Sequence, residues 1–210
     1  MELVQTQRDN QIQIDKKIVI AIIRAVAEHN SFVIRYSDIQ LDKLVEDDDE
    51  FYKLENAMYE AISEGLLRGI YRFSGSCRGN DLIVVSPEPL SREVLNVVDH
   101  LAGLYQFRLY DGSGEMEEVT KVLHNFIKMQ ASGCLEAASP AKAVYSLAKT
   151  YGLAVQKEAQ LDEWHVGKII YKIEGLDKSV VKEVYYCNRC MSFHDDEEFI
   201  EKCRSWRFAK

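Results

Sequence analysis

An α+β protein is what this sequence predicts, on three observations. Apolar residues recur at helical spacing in two stretches of the first half, around residues 18–26 and 51–66. Strand-like runs follow at 69–73 and 82–86, joined by a polar loop with two glycines. The second half repeats the mixture, with helical patterns as far as residue 151 and then β-branched and aromatic runs as far as residue 186.

Each element has its own local reason. Asp15 is placed to cap a first helix in which Ile18, Ile22, Ala25 and Val26 form the apolar face, with Ile23 beside them and Asn30 at the end. Ser31–Tyr36 is a short β-branched and aromatic run. Ser37-Asp38-Ile39-Gln40 reads as a capping box that opens a second helix, with Ile39, Leu41 and Leu44 inward. The acidic run Glu46–Glu50 turns the chain and suits the positive end of a third helix, striped by Phe51, Leu54, Met58 and Ile62 with Leu66 at its end. Asp47-Asp48-Asp49 lacks the glycine and the distant glutamate of a calcium loop, so it reads as a helix cap. Gly69–Phe73 and Leu82–Ser86 then form a hairpin around the loop 74–81.

Ser86-Pro87-Glu88-Pro89 is the best boundary, because two prolines break the strand pattern. It divides the chain into a first unit over 1–90, an α+β unit over 91–186, and a Cys/His cluster with a final helix over 187–210. In the second unit, Ser91–Leu104 reads as a helix and Tyr105–Tyr110 as a strand that ends at Asp111-Gly112. Glu115–Gln130 is a stronger helix, and Ser139-Pro140 opens another that stops at Gly152. Strand-like runs follow at 153–155, 168–173 and 180–186, and a second winged-helix unit is one way to assemble these pieces.

Composition narrows the function classes. The chain has 210 residues, with 26 basic and 34 acidic side chains and a formal charge of −8. Residues 1–90 carry a balance of −6 and the remainder −2, so the first half is the acidic one. A net acidic chain is a poor bulk ligand for nucleic acid. The longest apolar run, Ile18–Ile23, is six residues, against the roughly 18 that a membrane span needs. The first ten residues are polar, and five cysteines is an odd number, so reduced thiols in a cytoplasmic protein are expected. There is no Walker loop, dinucleotide fingerprint or HExxH motif, and His29, His100, His124 and His165 are scattered singly. The expectation is a protein that is not an enzyme.

Three groups of residues carry what chemistry there is. Cys187-Asn188-Arg189-Cys190, followed by His194 and Cys203, supplies four soft donors for a structural zinc, and a small zinc knuckle is one reading. Free thiols, buried or as a surface pair, are another, and a thioredoxin-like redox pair is disfavoured because no helix opens straight after the first cysteine to lower its pKa. Glu55, Glu60 and Glu64 on the third helix, with Glu50 and against one Lys53, would be repelled by a phosphate-lined groove, so that helix is expected to dock on protein. Arg68, Arg72 and Arg78 on the hairpin, with Arg204 and Arg207 in the aromatic-basic tail 202–210, are the candidate DNA contacts.

The order helix, short strand, helix, helix, hairpin over residues 12–86 resembles a winged helix-turn-helix domain; an unrelated small α+β domain is the alternative. The phrase Ala61-Ile62-Ser63-Glu64-Gly65-Leu66-Leu67-Arg68-Gly69-Ile70-Tyr71 is similar to the junction where a third helix hands over to its wing. In size and charge the chain resembles the KITE proteins that accompany SMC ATPases. It is similar also to the middle components of ABC-three-component defence systems, Lamassu-type complexes included. That resemblance implies an accessory subunit that bridges or regulates an SMC/ABC-type ATPase or a nuclease in DNA surveillance, with direct DNA contact secondary. The cysteine-rich C-terminus is not part of the family pattern. A DNA-binding transcription regulator using the arginine wing and tail is the second reading, and a zinc-dependent enzyme the third.

Overall fold

A computed structural model describes residues 2–73, 80–87, 89–111, 116–131, 139–161, 166–187 and 192–194. Helix α1 (Glu2–His29) leads into β1 (Val33–Arg35), two single 3-10 turns (Tyr36–Asp38 and Leu41–Lys43), α2 (Asp48–Ser63), β2 (Ile70–Phe73) and β3 (Leu82–Val85). Three helices follow, α3 (Arg92–Asp111), α4 (Met116–Ala131) and α5 (Pro140–Thr150). The strands β4 (Val155–Leu161), β5 (Val166–Ile173), β6 (Val180–Cys187) and β7 (Ser192–His194) complete the described chain. All pairings are antiparallel, in a three-stranded sheet of order β1-β3-β2 and a four-stranded meander β4-β5-β6-β7. The chain is therefore α+β.

Several local signals act as the sequence suggests. Asn30 adopts a left-handed φ of 46° just past α1, the conformation that closes a helix C-terminus. Asp47 caps α2 by accepting the Asp49 amide at 2.7 Å. Ser139 caps α5 by accepting the Lys142 amide, and Pro140 takes the first helical position, where its missing N–H costs nothing.

Other expectations are corrected. Asp15 does not cap α1; the helix already runs from Glu2, because residues 2–14 contain no proline or glycine to stop it. The stretch after Ser37 is two 3-10 turns rather than a helix. Asp38 folds back to accept the Arg35 amide at 2.8 Å, and Ile39 and Leu41 are buried while Leu44 is half-buried. Residues 105–110 are not a strand but the end of α3. Val98, Ala102 and Tyr105 fall on one helical stripe and are all buried, so the period of 3.6 overrides the apparent alternation. Leu66 faces solvent and Leu67 takes the inward place. The final helix expected within 187–210 lies outside the described residues.

Residues from both sides of Pro87–Pro89 contribute to one hydrophobic cluster. Ile18, Ile22 and Val26 of α1 share it with Met58 and Ile62 of α2, Ile83 of β3, Val98 of α3, Leu123 and Ile127 of α4, and Val144 and Leu147 of α5. Tyr171 and Ile173 of β5 join from the second sheet. Helix α1 packs against α5, α2 and β1, α5 in turn carries the second sheet, and α4 lies on β1 and pairs with α3.

Candidate functional site

On α2, Leu54, Met58, Ala61 and Ile62 face the core. At 100° per residue, Glu60 and Glu64 stand one turn apart on the same outer flank, whereas Glu55 lies about 140° round from Glu60. Glu60 and Glu64 are exposed and Glu55 is half-buried. Glu50 is engaged in an ion pair with Lys17 of α1. The three expected docking glutamates are therefore a pair and an outlier. Tyr52 and Leu66, 62% and 66% exposed, add apolar surface at the two ends of the same helix.

The hairpin arginines divide in a different way. Arg72 donates from Nε to Asp81 Oδ2 at 2.7 Å and from Nη2 to the Tyr59 hydroxyl at 2.7 Å, with its guanidinium carbon 4.6 Å from the Tyr59 ring centre. This guanidinium clamps β2 and β3 onto α2 and is occupied inside the fold. Arg68 is exposed, and its carbonyl accepts the Tyr151 hydroxyl at 3.3 Å. Arg78, Arg204 and Arg207 lie outside the described residues.

Of the four expected zinc ligands, Cys187 ends β6 opposite Ser192, and His194 ends β7 opposite Tyr185. The register brings these two backbone positions within two rungs of one another on adjacent strands. Cys190 and Cys203 lie outside the described residues, and among the described residues no group of three or more His, Cys, Asp or Glu forms a metal cluster.

A cleft of about 460 Å³ between β1 and the α3–α4 pair gathers residues that no sequence motif joins. His29, Ser31, Arg35, Asp38, Tyr105 and Lys121 line it. Burial pushes the Tyr105 phenol above its usual range; the nearby Arg35 charge lowers it and Asp38 raises it, both less strongly. His124 stands beside this cleft. Its Nδ1 accepts the Phe32 amide at 3.2 Å and lies 3.2 Å from Ser31 Oγ, and its ring is 5.0 Å from that of Phe32. An Nδ1 that accepts a backbone N–H carries no proton, and burial, with Lys128 second, holds this imidazole below the usual histidine range. Because its lone pair is already engaged by the Phe32 amide, His124 stitches α4 to β1 rather than activating Ser31.

On the opposite side of α1, Arg24 is only 9% exposed. Its Nη2 donates to the Gly175 carbonyl at 2.8 Å, while Nε and Nη1 have no hydrogen-bond partner. The sequence signal was a lone cation inside an apolar helical stripe, next to Ile23 and Ala25. Along α3 and α4, Phe107 and Met129 are 65% and 70% exposed. Among the described residues no helix is long and apolar enough to cross a membrane. No protein-family model, curated protein or solved structure matches the chain.

Proposed function

We propose that this protein is a non-enzymatic interaction subunit of a multi-protein DNA-surveillance or DNA-processing complex, docking through the outer face of α2 onto an SMC/ABC-type ATPase or nuclease. The observation that carries this reading is the charge of that face. Glu60 and Glu64 project from the C-terminal end of α2, with exposed Leu66 just beyond it and exposed Tyr52 at its other end, a charge that suits a basic protein surface and opposes a phosphate backbone. The internal engagement of Arg72 removes one of the three wing cations from the competing DNA-regulator reading. Exposed Phe107 and Met129 are further apolar surface of the kind that an assembly covers.

The N-terminal unit is read as a winged helix-turn-helix, in which α1, the 3-10 segment and α2 precede a β2–β3 wing. The antiparallel order β1-β3-β2 supports this reading, with the 3-10 turns in place of a regular second helix. The C-terminal Cys187, Cys190, His194 and Cys203 are proposed to hold one structural zinc as a small knuckle. The β6–β7 register, which brings the Cys187 and His194 positions together, supports that assignment. A cytoplasmic location goes with reduced thiols.

The test is affinity capture of the tagged chain from its native cell, alongside the double variant Glu60→Lys, Glu64→Lys. Co-purification of a large ATPase or nuclease that the double variant loses is the expected result. A chain that purifies alone and binds duplex DNA with a steep salt dependence would replace this reading with the transcription-regulator one.

A further inference from the structure

Helices α3 and α4 carry an apolar flank beyond the stripe that the core buries. Their short connection, residues 112–115, and their mutual packing make them an antiparallel hairpin. On α3, Val98, Ala102 and Tyr105 are buried, and Val97, Leu101 and Leu104 stand about 100° round the helix from them. On α4, Val119, Leu123 and Ile127 are buried, and Val122, Phe126 and Met129 are displaced from them by about 90° in the same sense. Equal distances from the connection set Leu104 beside Val122, Leu101 beside Phe126 and Val97 beside Met129, each to within one residue. The outer four of these are exposed, while Leu101 and Phe126 are half-buried between them. The six form one apolar strip along the hairpin.

Charge and size both bear on what covers it. The two helices hold four basic and five acidic side chains, a balance of −1, whereas the whole chain carries −8. Two copies therefore meet here against little of their overall repulsion. Helices of this length, about 30 and 24 Å, with axes roughly 10 Å apart, give a face of the order of 500 Å² on each copy, which brings two copies to the roughly 1,000 Å² at which specific interfaces begin. The ends of the strip also carry opposite charges. Glu93 near the start of α3 and Arg108 near its end both lie within about 40° of Val97 round the helix.

We propose that this strip is the interface of a twofold-symmetric dimer, in which α3 lies antiparallel on α3 of a second copy. An axis between the levels of His100 and Leu101 sets Val97 opposite the partner's Leu104 and, by the same count, Glu93 opposite the partner's Arg108. The twofold repeats each contact, so one register buries the apolar centre and forms two ion pairs at its ends. The strip does not include α2, so the dimer does not depend on the proposed docking role of that helix.

The experiment is sedimentation equilibrium of the full chain, with Glu93→Arg and Arg108→Glu made singly and together. The parent is expected to be a dimer in reversible equilibrium with its monomer. Each single variant sets like charges opposite each other at two symmetry-related places and is expected to weaken the dimer by about 10- to 100-fold. The double variant restores opposite charges and is expected to recover most of that loss. An equimolar mixture of the two single variants should recover it too, because the two chains are then complementary to each other. Leu104→Gln, at an exposed position, is expected to weaken the dimer while leaving the helical circular dichroism unchanged. A parent that stays monomeric throughout, or single variants that dimerise as tightly as the parent, would overturn the proposal. So would a loss that neither the double variant nor the mixture recovers, which would assign the effect to contacts within one chain.

Discussion

Arg72 on β2 and Asp81 just before β3 form an ion pair across the hairpin, with Nε 2.7 Å from Oδ2 and the carboxylate side chain 1% exposed. Tyr59 of α2 closes the other side of the guanidinium. Asp81→Ala leaves a largely buried cation without its partner and is expected to cost about 3–5 kcal/mol. Replacing both residues, as Arg72→Met with Asp81→Leu, should cost less than Asp81→Ala alone. Urea midpoints for the three variants check this. A double variant at least as unstable as the single one would mean that the pair contributes net stability rather than mutual neutralisation.

The turn between β5 and β6 presses Gly175 against α1. Its φ is +80°, and a Cβ there would stand 2.8 Å from Cδ1 and 2.9 Å from Cγ2 of Ile20. Backbone strain and the clash act together, so Gly175→Ala is expected to destabilise by about 1–3 kcal/mol. Pairing it with Ile20→Ala makes room for the new methyl group. The double variant should recover part of the loss in thermal melting, whereas strict additivity would assign the whole cost to φ.

The elements with strong periodicity were legible in advance, and the reasons are visible residue by residue. Ile18, Ile22, Leu54, Met58 and Ile62 are inward because apolar spacing of three and four has one geometric solution. Tyr105 misled because Tyr105–Tyr110 alternates in polarity within a helix whose apolar flank is wide enough to leave Phe107 exposed. The roles of Arg72 and Arg24 were not readable at all. Each depends on partners distant in sequence: Tyr59 in one case, and in the other Gly175, which lies 151 residues away. A local pattern shows that a cation is present, while only the tertiary contacts show whether it is neutralised.

His124 gives the fold a pH dependence whose sign follows from its environment. Burial holds its pKa in the folded chain below the ordinary 6.5, so the unfolded chain takes up the proton first. The stability contributed is complete above about pH 6.5 and is lost as the pH falls towards the depressed folded value. His124→Leu removes the acceptor of the Phe32 amide and is expected to cost about 1–3 kcal/mol at pH 8. The gap between parent and variant should narrow as the pH falls from 7 to 5. Denaturant titrations across that interval check it, and a gap that widens would show that the imidazolium is favoured by folding.

The proposed zinc makes a prediction about stability rather than activity. Cys187 and His194 occupy adjacent strands two rungs apart, and Cys187-Asn188-Arg189-Cys190 begins where β6 ends. Four protein donors fill a tetrahedral zinc, so such a site ties the hairpin and the tail together without an open position for substrate. Purified chain is expected to carry one zinc per molecule, and Cys187→Ser is expected to lower both occupancy and melting temperature. A loss of about 2 kcal/mol corresponds to roughly 4–8 °C for a chain of this size. Chelation of the parent should produce the same shift, while chelation of the Cys187→Ser variant should produce little more. A parent with no bound metal and an unchanged melting curve after Cys187→Ser would leave these residues as ordinary thiols.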